Sequence, residues 1–78
     1  MFHDERVNIN PVRFRAAVAV ARLSGRELSR RLGVGSSTLA RWGRGIMRAP
    51  VGAVEQIEEW LRVSPGWLSG ADESEPGR

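Results

Sequence analysis

Residues 23–45 read LSGRELSRRLGVGSSTLARWGRG, and the fold follows from how this stretch is punctuated. Ser24, with Glu27 three residues on, fits a capping box in which each side chain satisfies the other's backbone donor. The helix it opens is short, ending near Leu32, with Leu28 and Leu32 on its buried edge. Gly33 supplies the left-handed conformation that stops it. Gly35, Ser36 and Ser37 then start another helix, which runs to about Gly43. At about 100° per residue, Ser36, Ser37, Ala40, Arg41 and Arg44 share one face, and Leu39 and Trp42 take the opposite one. Leu28, Leu32, Leu39 and Trp42 thus hold two short helices together, Ser29 is small where they cross, and Val34 plugs the core beneath the turn. The result is a rigid bracket that projects a helix displaying small polar groups and arginine.

Upstream, Asn10 and Pro11 form a helix start, because Asn caps and Pro suits the first helical position. That helix runs to about Ala21, with Phe14, Ala17, Val18 and Ala21 as a core stripe and Val12, Ala16 and Val20 as a second, weakly apolar set. Residues 1–9 have no helical period and read as an arm, with Phe2, Val7 and Ile9 as anchors. Downstream, Gly43 to Pro50 is a loop holding Arg44 and Arg48. The spacing then predicts an amphipathic helix over Val51–Leu61: Ala53, Val54, Ile57, Trp60 and Leu61 face inward, and Glu55, Glu58, Glu59 and Arg62 face solvent. Ser64 and Pro65 are expected to cap a last short helix carrying Trp67 and Leu68, with Trp42 and Trp67 in the core and Trp60 at the rim. Residues 71–78 have no large apolar side chain and read as a disordered tail. The expectation is an all-α domain, a compact bundle of five short helices over residues 10–70, with no β-rich stretch.

Composition narrows the function. With 78 residues, the chain has one modest core. No cysteine is present and His3 is the lone histidine, so a metal site or a His-based catalytic pair has little to work with, and no enzyme activity is expected. The N-terminus has no apolar signal run and no stretch approaches a membrane span, which predicts a cytoplasmic protein. Charge is strongly asymmetric: residues 11–48 carry nine arginines against Glu27 alone, a net +8, whereas residues 49–78 carry six acids against two arginines, a net −4. A basic centre between acidic ends points to a polyanionic partner.

The bracket and the closing segment VSPGWLSG (residues 63–70) together resemble the Cro/repressor-type helix-turn-helix family of phage repressors and bacterial regulators, from about Pro11 to Gly70. The resemblance implies a lambda-repressor-like domain of five helices that reads DNA with the third. A protruding helix of this kind fits the major groove, with its N-terminal residues at base edges. Carried onto this chain, Ser36, Ser37 and Arg41 match the base-reading positions. Arg44, Arg48 and the backbone at Gly45 match the phosphate-contacting loop, and Arg26 and Thr38 are further phosphate candidates. Three positions depart from the family's pattern. Gly25 stands where many members have a phosphate-binding glutamine, whose contact Arg26 would have to replace. Val18 and Gly43 stand where some have a buried Arg–Glu pair, so both partners are lost together. Arg62 replaces a common helix-ending glycine.

The function expected is a sequence-specific, double-stranded DNA-binding transcriptional regulator, a repressor on an inverted repeat. The alternative is a protein-interaction module on the same fold, an antitoxin or antirepressor. No cofactor or small-molecule ligand is expected. One bracket reads too few base pairs to select a genomic site, so a symmetric homodimer is expected, at least on DNA. Trp60, Val63, Pro65 and Trp67 are the first choice for the dimer contact. The rival surface is Val12, Ala16 and Val20 on the first helix, with the arm laid across.

Overall fold

The starts of α1 and α2 are set by side chains next to them in sequence. In the computed structural model, which describes residues 5–70, the elements follow in the order β1 (Arg6–Val7), α1 (Pro11–Ala21), α2 (Gly25–Leu32), α3 (Ser36–Gly43), β2 (Ala49–Pro50) and α4 (Val51–Leu61). Asn10 opens α1 by accepting from the amides of Val12 at 2.9 Å and Arg13 at 3.1 Å, with Pro11 at the first helical position. Ser24 Oγ accepts from the Glu27 amide at 3.1 Å to open α2. Gly33, at φ 76°, closes α2 by donating back to the carbonyls of Ser29 and Arg30. Arg22 and Arg62 close α1 and α4 in the same left-handed region, at φ 59° and 62°. The helix-ending glycine that Arg62 replaces is therefore not needed for the turn itself.

The core is shared by every element. Leu28 of α2 and Leu39 and Trp42 of α3 are buried together with Ala17 of α1 and Ala53, Val54, Ile57 and Leu61 of α4. Phe14, Val18, Ala21, Leu32 and Val34 are partly buried against this cluster, in line with the stripes read from the sequence. Ser29 is buried, its hydroxyl donating to the Arg26 carbonyl at 2.8 Å. The Phe14 ring lies against Gly43: a Cβ there would come within 2.6 Å of it. An aromatic–glycine contact thus joins α1 to α3 where the resemblance pointed to a missing ion pair.

Five expectations need correcting. First, four helices are present among the described residues, not five; residues 65–70 form successive turns, with Gly66 and Gly70 at φ 85° and 77°. Second, Glu58 does not face solvent with Glu55 and Glu59. It is 2 % exposed, and its carboxylate accepts from the amides of Gly66 and Leu68, both at 3.0 Å. The two corrections share a cause. Glu58 lies only about 40° from Val54 on a helical wheel, so the chain folding back over that face covers it. The carboxylate then takes amides that would otherwise need a further helical turn. Third, the capping box is only half made: the Glu27 carboxylate turns to Arg30 and Arg31, both at 3.2 Å. Fourth, Trp67 is half-buried, with the Arg13 guanidinium over its ring at 5.1 Å. Fifth, a short antiparallel pair exists, Arg6 opposite Pro50 and Val7 opposite Ala49.

That pair makes the N-terminal segment part of the fold. Ile9 is fully buried, the Asn10 amide donates to the Leu68 carbonyl at 2.7 Å, and the Val51 amide donates to the Glu5 carbonyl at 3.1 Å, which caps the bare N-terminus of α4. The two segments flanking the helices therefore meet each other. Phe2, His3 and the expected tail 71–78 lie outside the described residues. No helix among the described residues is long and apolar enough to cross a membrane.

Candidate nucleic-acid interface

Two leucine-class anchors and a tryptophan decide which way α3 faces. Leu28, Leu39 and Trp42 are all buried, and Gly25 at the start of α2 sits against Leu39, where a Cβ would lie 3.7 Å from its side chain. With that side of α3 held in the core, Ser36, Ser37, Ala40 and Arg41 are exposed and Thr38 is half-buried. All three residues expected to read bases are thus displayed by one short helix with a fixed back. Gly35 occupies the N-cap without a side-chain hydrogen bond, so the first amides of α3 are free to meet an acceptor from outside.

The loop after α3 is tied to the helix that precedes it. The Gly45 amide donates to the Trp42 carbonyl at 3.0 Å, and the amides of Ile46 and Met47 both turn back to the Arg41 carbonyl, at 3.1 and 3.4 Å. Gly45 has φ 73°, and a Cβ there would lie 2.9 Å from the Ile9 carbonyl oxygen, so only glycine fits. This fastening places Arg44 and Arg48, both exposed, at the C-terminal end of α3 in a defined loop. Arg26 is exposed in the first turn of α2. The candidates therefore fall into three groups: the face of α3, the loop bound to its end, and Arg26 at the start of α2.

Electrostatics separates these arginines from their neighbours. Arg30 and Arg31 share Glu27, and Arg31 also lies over the Trp60 ring at 5.6 Å. Among the described residues, Arg26, Arg41, Arg44 and Arg48 form no salt bridge. Arg6, Arg15, Arg22 and Arg62 likewise form none, so the compensated pair on α2 is the exception among the described arginines. Sequence reasoning passed over Ile46, which is 68 % exposed between Arg44 and Arg48. Its signal was an aliphatic residue inside a basic loop, next to Met47, which packs on the core instead. No group of acidic or histidine side chains among the described residues could hold a metal ion. A scan against protein-family models, and searches of curated proteins and of solved structures, found no match to this chain.

Proposed function

We propose that the protein is a sequence-specific, double-stranded DNA-binding transcriptional regulator, a repressor acting as a symmetric pair on an inverted repeat. In this reading α2 and α3 form a helix-turn-helix, and α3 enters the major groove. The carrying observation is the face of α3: Ser36, Ser37 and Arg41 are exposed while Leu39 and Trp42 hold the other side in the core. Serine hydroxyls donate to or accept from base edges, and an arginine makes a two-pronged contact with guanine. Arg44 and Arg48 would neutralise phosphates on the flank, and Arg26 would do so at the head of α2.

The test is binding to duplex DNA as a function of salt, followed by site selection from a random pool. Affinity should fall steeply as salt rises, because each neutralised phosphate releases counterions. On the selected site, Arg41→Ala should lose roughly 1–3 kcal/mol and relax preference at one base position. Arg48→Ala should weaken selected and random duplexes alike and lower the salt slope by about 1. Absence of binding to any duplex, or binding without salt dependence, removes this reading.

A further inference from the structure

An open groove of about 290 Å³ lies between α1 and α3. Its floor is Phe14 and Val18 of α1 and Gly43 of α3, all buried or half-buried. Its rim is exposed: Arg15 on α1, Ala40 on α3, and Arg44 at the C-cap of α3. Because Gly43 has no Cβ, the Phe14 ring closes on α3, and this close approach brings Arg15 and Arg44 to one concavity. Ala40 and Arg44 also belong to the α3 face that carries Ser36, Ser37 and Arg41. The groove therefore continues that face onto α1.

Few donors at this groove are left for a ligand. Pro11 has no amide, those of Val12 and Arg13 go to the Asn10 side chain, and that of Phe14 goes to the Asn10 carbonyl. Arg13 spends its guanidinium on the Trp67 carbonyl and ring. Arg15 and Arg44 form no salt bridge among the described residues. The groove thus offers two guanidiniums above an apolar floor.

We propose that this groove seats one strand of the DNA backbone, with Arg15 and Arg44 on its phosphates and a deoxyribose laid over Phe14 and Val18. The proposal rests on the DNA-binding reading above and extends that interface from α3 and its loop to α1. A nucleic-acid strand alternates anionic phosphates with sugars rich in C–H, and guanidiniums around an apolar floor match that alternation. Arginine is suited to the phosphate because its planar fork donates two parallel hydrogen bonds. Such contacts fix the register of a protein on a duplex without reading sequence. A free phosphate ion would meet two exposed guanidiniums, no backbone amide and a floor it cannot use. A strand engages Arg15, Arg44 and α3 at once, so each contact raises the effective concentration of the next.

The experiment is duplex binding by the full chain across a salt series, on a site selected from a random pool and on random duplex. Arg15→Gln removes the charge at similar size, and Arg15 is exposed, so the melting temperature should not change. This variant should weaken both duplexes alike and lower the slope of log K against log salt by about 1. Arg15→Lys should restore most of that slope. Arg62→Gln is the control for net charge: Arg62 lines a different groove, beside Trp60 and Trp67, and its loss should leave the slope as in wild type. Neutral methylphosphonates placed one at a time along the selected site locate the contact. One position should cost wild type affinity and cost Arg15→Gln little. A wild-type slope in Arg15→Gln, an equal fall in Arg62→Gln, or no methylphosphonate whose effect depends on Arg15 overturns the proposal and leaves the DNA-binding reading standing. A wild type that binds no duplex removes both.

Discussion

At the scale of single residues, Glu58 has the largest structural consequence for its size. Its carboxylate is the acceptor for two amides of the closing segment, one of them buried. Removing it leaves both without a partner, and a buried donor left unpaired costs about 1–3 kcal/mol. Glu58→Ala should therefore lower the unfolding free energy by about 2–4 kcal/mol, a large fraction of what a domain this small possesses. Glu58→Gln, which keeps one good acceptor, should fall between. Urea unfolding reads this directly, and an alanine variant as stable as wild type would show that the closing segment does not depend on the carboxylate. Gly43 is constrained in the opposite sense: the Phe14 ring fills the space a side chain would need.

At the scale of elements, the helix ends are uneven in quality. Gly33 ends α2 at φ 76° without strain, whereas Arg22 ends α1 at φ 59° with a Cβ in the way. A left-handed L-residue costs roughly 1–2 kcal/mol, and glycine returns about 0.5–1 kcal/mol of that as lost entropy in the unfolded chain. Arg22→Gly should thus raise stability by about 0.5–1 kcal/mol, seen as a higher urea midpoint with an unchanged slope. Destabilisation would mean that the Arg22 side chain does more for the fold than its exposure implies. The same logic explains why the segment after α4 departs from helix. Left-handed residues at Arg62, Gly66 and Gly70 turn the chain repeatedly, and the turns direct amides at Glu58.

At the scale of the whole molecule, the N-terminal segment and the closing segment complete one core. Ile9 and Leu68 are both fully buried, and the Asn10–Leu68 hydrogen bond joins their backbones. Ile9→Ala should cost about 2–5 kcal/mol, the usual range for truncating a buried aliphatic side chain. If thermal unfolding of that variant matches wild type, the segment is an accessory and not a layer of the fold. The arrangement also concerns the interface: Gly45 in the loop after α3 packs against the Ile9 carbonyl. Loosening the N-terminal segment should therefore disturb Arg44 and Arg48 before it reaches α3.

The sequence by itself determined what is local. The ranges of α1 to α3, the caps at Asn10, Ser24 and Gly33, and the apolar period of α4 follow from interactions within about four residues, and periodicity reports these directly. The grouping of Ser36, Ser37 and Arg41 was legible for the same reason, since Leu39 and Trp42 can be buried in only one orientation. Tertiary structure alone decided what distant segments do to one another. Glu58 read as a solvated charge because its partners are eight and ten residues away, on a segment whose path no period announces. The β1–β2 pair escaped notice because two residues per strand carry no alternation, and their pairing spans the chain from Arg6 to Pro50. Ala16 and Val20 of α1 come beside Trp60, Val63 and Trp67 only when the core closes, so sequence periodicity treats them as separate surfaces. A side chain's environment follows from its neighbours in sequence only while those neighbours are also its neighbours in space. At Glu58, Ile9 and Val63 they are not.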